Sequence, residues 1–263
     1  MAAETHPVLT LRNLVTDLEA AITLTLADPK RKPVHRLRTT TRRIEAQMEL
    51  LALLPDLPEH AKPAKKARKL LRKLRRAAGL VRDLDVQHDL TQSKSQEARK
   101  LRSLFQQQRG EAAESLLSAL HKHQSKLTRT LEALLKTLGP AESLTISATH
   151  LSQLTLGWYT NHVPPATQRD HRRLHDIRKA AKLARYIAES ANSPATHRLA
   201  RTFESLQQSG GDWHDWLTLS HIAHRELGSA SPLTQSFTDR CEKSLSKYQS
   251  ELKAHSKNLA PAP

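Results

Sequence analysis

The same helix is written twice in this chain, and that repetition limits the folds open to it more than any other feature. "VHRLRTTTRRIEAQMELL" begins at Val34 and "LHDIRKAAKLARYIAES" at Leu174, and both read apolar-His-x-x-Arg-x-x-x-(Arg/Lys). Each copy is followed by a Gly-x-x-x-Asp segment, "GLVRD" from Gly79 to Asp83 and "GDWHD" from Gly211 to Asp215. Related units that must stack to bury their apolar sides predict two related helical bundles, residues 1–140 and 141–263, joined near "TLGPAES".

The remaining residues favour helix throughout. Glycine is held to 7 residues in 263, and the chain is dominated by strong helix formers, without β-branched or aromatic runs. The expected class is all-α. Pro and Gly punctuation predicts helices near 8–27, 34–54, 63–91, 96–138, 144–161, 168–190, 195–209, 212–227 and 232–258. Pro33, Pro63 and Pro194 suit first-turn positions, where a missing N–H costs nothing.

The repeated helices have two unlike faces. At about 100° per residue, Arg38 and Arg42 fall within about 60° of His35, while Leu37, Ile44, Met48 and Leu51 gather on the opposite side. In the second copy His171, His175, Arg178, Lys182, Arg185 and Tyr186 share about 100° of arc, backed by Ile177, Ala181, Ala184 and Ala188. The helix from Pro63 repeats the design with Lys65, Arg68, Lys69, Arg72, Arg75 and Arg76. Once the apolar sides pack, these cationic rows must turn outward or into a shared groove.

Charge decides between a merely solvated surface and a binding one. The formal charge is +16, and residues 30–82 carry 17 Lys or Arg against four acids, a net +13. An exposed helix normally intersperses carboxylates at i,i+4, and like charges at that spacing repel by some tenths of a kcal/mol. Lys65, Lys69, Arg72 and Arg76 have no carboxylate among them, which points to a polyanionic partner.

Several alternatives lack their residues. His171 and His175 have a metal pair's spacing without an evident third ligand, so no metal or other cofactor is expected. No G-x-x-x-x-G-K loop or set of Mg²⁺-binding carboxylates suggests an enzyme, and Asp83, Asp85 and Asp215 are expected to cap turns or orient arginines. A nucleic-acid binder is the main rival, but aromatics are 3% and do not interleave with the basic rows. A single cysteine, Cys241, and the lack of an amino-terminal targeting signal or membrane span predict a cytoplasmic protein that does not enter the membrane.

The motif His-x-x-Arg-x-x-x-Arg-Arg, then "RDLD" from Arg82 to Asp85, then the second His-x-x-Arg-x-x-x-Lys with Arg-Tyr, resembles the conserved histidine α-helical domain, or CHAD. The resemblance implies two four-helix bundles about a pseudo-twofold axis, a basic central channel that binds inorganic polyphosphate, and association with polyphosphate granules. Some members carry a triphosphate-tunnel enzyme domain; no such segment is visible here, so a stand-alone member is expected. It nominates His35, Arg38, Arg42 and Arg43 in the first half, and His175, Arg178, Lys182, Arg185 and Tyr186 in the second. Glu45 stands where the family often has a cation. Phosphate ligands suit this set, because arginine grips oxygens with a two-pronged fork and lysine supplies a movable charge. His35 and His175 are expected to donate N–H groups or to become charged as an anion approaches.

Overall fold

The structure, a computed structural model, describes residues 4–163 and 170–259. Among them run eight α-helices: α1 (Pro7–Ala27), α2 (Arg31–Leu51), α3 (Ala61–Leu90), α4 (Gln96–Leu138), α5 (Ala148–His162), α6 (His171–Ala188), α7 (Pro194–Leu227) and α8 (Pro232–Leu259). The all-α expectation holds. Pro33, Pro63 and Pro194 do fall in first turns. Helices α4 to α7 start at short polar caps: Ser95 and Ser147 cap α4 and α5, Asp170 accepts from the N–H groups of Arg172 and Arg173, and Ser193 forms a capping box with Thr196. The start of α6 expected near 168 lies outside the described residues.

Two features depart from expectation. The break anticipated at Gly210 and Gly211 is absent, and α7 runs unbroken through both. Two glycines cost a helix about 1 kcal/mol each relative to alanine, too little to interrupt one anchored on both sides by buried Phe203, Leu206, Trp213 and Leu219. The second departure is a minimal antiparallel ladder, β1 (Glu4–Thr5) with β2 (Ile146–Ser147). Thr5 Oγ1 donates to the Ser190 carbonyl at 2.6 Å, so the amino-terminal segment is tied to residues just beyond α6.

Within the first half α2 packs on α1 and α3, and α4 lies along α3 and α1; in the second, α6 packs on α5 and α7, and α8 lies along α7. The two repeated helices, α2 and α6, pack directly on each other. The main apolar core extends through both halves, from Leu11 and Leu37 to Ile177 and Trp213. A smaller separate core joins Leu101 and Phe105 of α4 to Leu219 and Ala223 of α7 and Phe237 of α8.

Candidate anion-binding site

Each repeated helix lays its arginine over a glycine of the helix that follows. Arg38 of α2 crosses α3 at Gly79, where an added Cβ would sit 3.8 Å from the Arg38 Nε; Arg178 of α6 crosses α7 at Gly210, where it would sit 3.1 Å from the Arg178 Cγ. Tyr248 of α8 fills the rest of the second seat, 2.8 Å from the same position, and its hydroxyl donates to the Leu174 carbonyl at 3.0 Å. The two sites should therefore respond oppositely to alanine. Gly79→Ala meets only ordinary contact and should be neutral or stabilise α3 by up to about 1 kcal/mol. Gly210→Ala must displace Tyr248 and Arg178 and should destabilise by about 1–3 kcal/mol; urea unfolding of both variants tests this, and equal midpoints would refute it.

The Nε atoms of Arg38 and Arg178 are buried without a hydrogen-bond partner. Lys182, two turns beyond His175 on α6, has no hydrogen bond or ion pair among the described residues. Burial, then Arg38, Arg42, Arg178 and Arg82, push its pKa down to about 7. The same neighbours reach His35, the most open member, whose pKa is lowered by partial burial and then by Arg82, Lys182 and Arg38. His175 is lowered to about 4 by burial, then Arg178, His214 and Lys179, with Asp176 opposing. One cluster thus joins α2, α3 and α6, and the cations expected from the two halves meet in it.

The carboxylates nearby are engaged with arginines, some of them members of the cluster. Glu45 binds Arg75 at 2.8 Å and Arg42 at 3.0 Å, and Arg75 is nevertheless lowered to about 10 by burial and by Arg42. Glu49 binds Arg68 at 3.3 Å and accepts from the Trp158 indole. Glu189 binds Arg185 at 2.6 Å and Arg43 at 3.3 Å, and both guanidiniums lie over the buried Tyr186 ring. Asp83 and Asp215 hold Arg82 at 3.4 and 3.3 Å, and Asp85 holds Arg109 at 2.7 Å and Arg31 at 3.3 Å. These aspartates orient arginines, as expected; Asp83, Asp85 and Asp215 lie inside helices, so none caps a turn.

The nominated residues divide accordingly. His35, Arg38, Arg42, Arg178 and Lys182 come together, with His175 beside Arg178, its Nδ1 at 3.4 Å from Nη2. Arg43, Arg185 and Tyr186 form an adjoining stack. Arg68 and Arg75 face α2, whereas Lys65, Lys69, Arg72 and Arg76 are exposed along α3, and Lys65, Arg68 and Arg72 line a groove against residues 52–61. Lys65 lies 17 residues from Arg82, about 25 Å along the helix at 1.5 Å per residue. Arg82 itself was not nominated, although the heptad Arg68, Arg75, Arg82 returns to nearly one face and would have found it.

Fold and site together define an all-helical protein built around two His–Arg helices packed on one another. The CHAD domain model matches residues 10–224, and the chain belongs to that family. It resembles the crystal structure of the CHAD domain from the plant Ricinus communis at 17% identity, covering 100% of this chain and 94% of that one with a TM-score of 0.73. It also resembles PptA from Streptomyces chartreusis at 15% identity, covering 95% of this chain and 100% of that one with a TM-score of 0.63. At these identities the likeness concerns the fold. No curated protein matches the sequence. Among the described residues no helix is long and apolar enough to cross a membrane.

Proposed function

We propose that this protein binds inorganic polyphosphate in a basic groove lined by both halves, and that it holds the polymer without cleaving it. The observation that carries this is Lys182: a half-buried ammonium facing four guanidiniums with no carboxylate of its own. Such a group is held against desolvation and repulsion together, and a bound polyanion relieves both. Residues 1–140 and 141–263 act as related halves about a pseudo-twofold axis, each supplying one His–Arg helix. Arg38, Arg178 and Lys182 contact phosphate first, with His35 and His175 beside them. Arg42, Arg43, Arg75 and Arg185, already paired with Glu45 and Glu189, contribute field more than new bonds. Binding of this kind would bring the protein to polyphosphate granules. Asp83 and Asp215 are committed to Arg82, which supports a holding role over metal-assisted hydrolysis.

Nucleic acid offers the same phosphates, but base stacking needs aromatic faces beside the cations. Tyr186, the tyrosine beside the cluster, is buried beneath Arg43 and Arg185 and offers no open face. Titration with long-chain polyphosphate, tripolyphosphate and duplex DNA at matched salt is the test. Long-chain polymer should bind most tightly, with affinity falling steeply as salt rises through counterion release. DNA binding equal to or tighter than polyphosphate would overturn the assignment.

A further inference from the structure

The cations of α3 do not stop at the side that meets α2 and α6. At about 100° per residue, Arg68, Arg75 and Arg82 lie about 60–100° to one side of Lys65, and Lys62, Lys66 and Lys73 lie about 60–100° to the other. Lys69, Arg72 and Arg76 fill the ridge between. On the far side α3 faces α4, and the two helices enclose a groove of about 530 Å³ lined by Lys62, Lys66, Lys126 and Arg129 with Pro63, Thr130 and Ala133. Lys73, Lys122 and Lys126 all reach His123 of α4, whose pKa they lower after burial does, so the cationic strip extends along the helix pair.

Among the described residues no carboxylate lines this groove. The contrast with the next groove round is direct: between α1 and α4, Arg129 is accompanied by Glu19 and Glu132. Lys62, Lys66, Lys73, Lys122 and Lys126 are exposed and take part in none of the ion pairs found among the described residues. The cations of the lining are mostly lysine, where those of the central cluster are mostly arginine. Ammonium groups on flexible stems suit a mobile polyanion held without fixed register.

We propose that the α3–α4 groove is a second seat for a phosphate polymer, reached across the α3 ridge by the same chain that the central cluster holds. The inference rests on the polyphosphate reading above. Its consequence is selection for length: three phosphates do not reach round a helix about 10–12 Å across, whereas a long chain engages both seats, and the second contact is then intramolecular.

The test compares the native protein with the double variant Lys66→Glu, Lys126→Glu, using long-chain polyphosphate and tripolyphosphate as probes. Both positions are exposed, and unchanged thermal midpoints would verify that the fold is kept. The variant should lose about tenfold in affinity for long chains and about two in the salt slope, while tripolyphosphate binding stays within about twofold. Unchanged long-chain affinity would remove the second seat and leave the central one standing. Equal loss for both probes would mean a general field and not a seat, which also overturns the inference. Failure of the native protein to bind either probe would instead overturn the polyphosphate assignment, and the seat with it.

Discussion

Lys182→Glu is expected to make the protein more stable and stop it binding. In the fold Lys182 faces Arg38, Arg42, Arg178 and Arg82 and has no ion pair among the described residues, so a carboxylate there converts repulsion into attraction. A gain of about 2 kcal/mol, the scale of a hydrogen bond to a charged group, raises the melting temperature of a chain this size by about 4–8 °C. The same carboxylate occupies the guanidiniums that phosphate needs and repels the polymer, so affinity should fall by about a hundredfold or more. Differential scanning fluorimetry and a polyphosphate titration on one preparation suffice. A residue that merely packs would lose stability on this change; a variant both destabilised and still binding would show that Lys182 does not face the ligand.

Acidification should have opposite effects on affinity and on ligand-free stability. With a pKa of about 7, Lys182 is mostly neutral at pH 8 and mostly charged at pH 6, and a bound polyanion keeps it charged. Binding therefore takes up a proton, and affinity at fixed salt should rise about tenfold from pH 8 to pH 6. Lys182→Arg stays charged throughout and should flatten the Lys182 part of that profile, which separates it from His35 and His175. In the ligand-free protein the folded state gives up the Lys182 proton near pH 7 while the unfolded chain keeps it to 10.5, so stability increases as pH rises across that window. His35, His175 and His255 are all lowered from 6.5 by burial, so their contribution is lost as pH falls below 6.5, down to about 4 for His175. An affinity that does not change between pH 8 and 6 would refute the proton uptake.

What could be read from the chain, and what could not, follows from the range of the interactions involved. The His–Arg faces were legible because helical periodicity is local: Leu37 and Ile44 opposite Arg42, or Ala184 opposite Lys182, fix which side is core before any partner helix is known. The pattern itself leaves open whether these faces meet, since the rows can turn outward or into a shared groove; the central channel is implied only by the family resemblance. Which cations would be free was not legible, because Glu45 and Glu189 satisfy arginines 30 and 146 residues away, Arg75 and Arg43. The continuity of α7 was hidden for the same reason. Gly210 reads as a breaker in sequence, whereas in space it is the seat for Tyr248, 38 residues on, and Arg178. Two-residue strands such as Glu4–Thr5 carry too few residues for a period to register.

The small core shared by α4, α7 and α8 bears on how the chain can be divided. Leu101 and Phe105 belong to the first half by order, yet it is Leu219, Ala223 and Phe237 that cover them. A polypeptide severed at the turn near Gly139 would leave that apolar patch bare on one fragment and its counterpart bare on the other. The repeated pattern therefore does not mark a line along which the chain can be cut, because each side of the turn covers apolar surface belonging to the other.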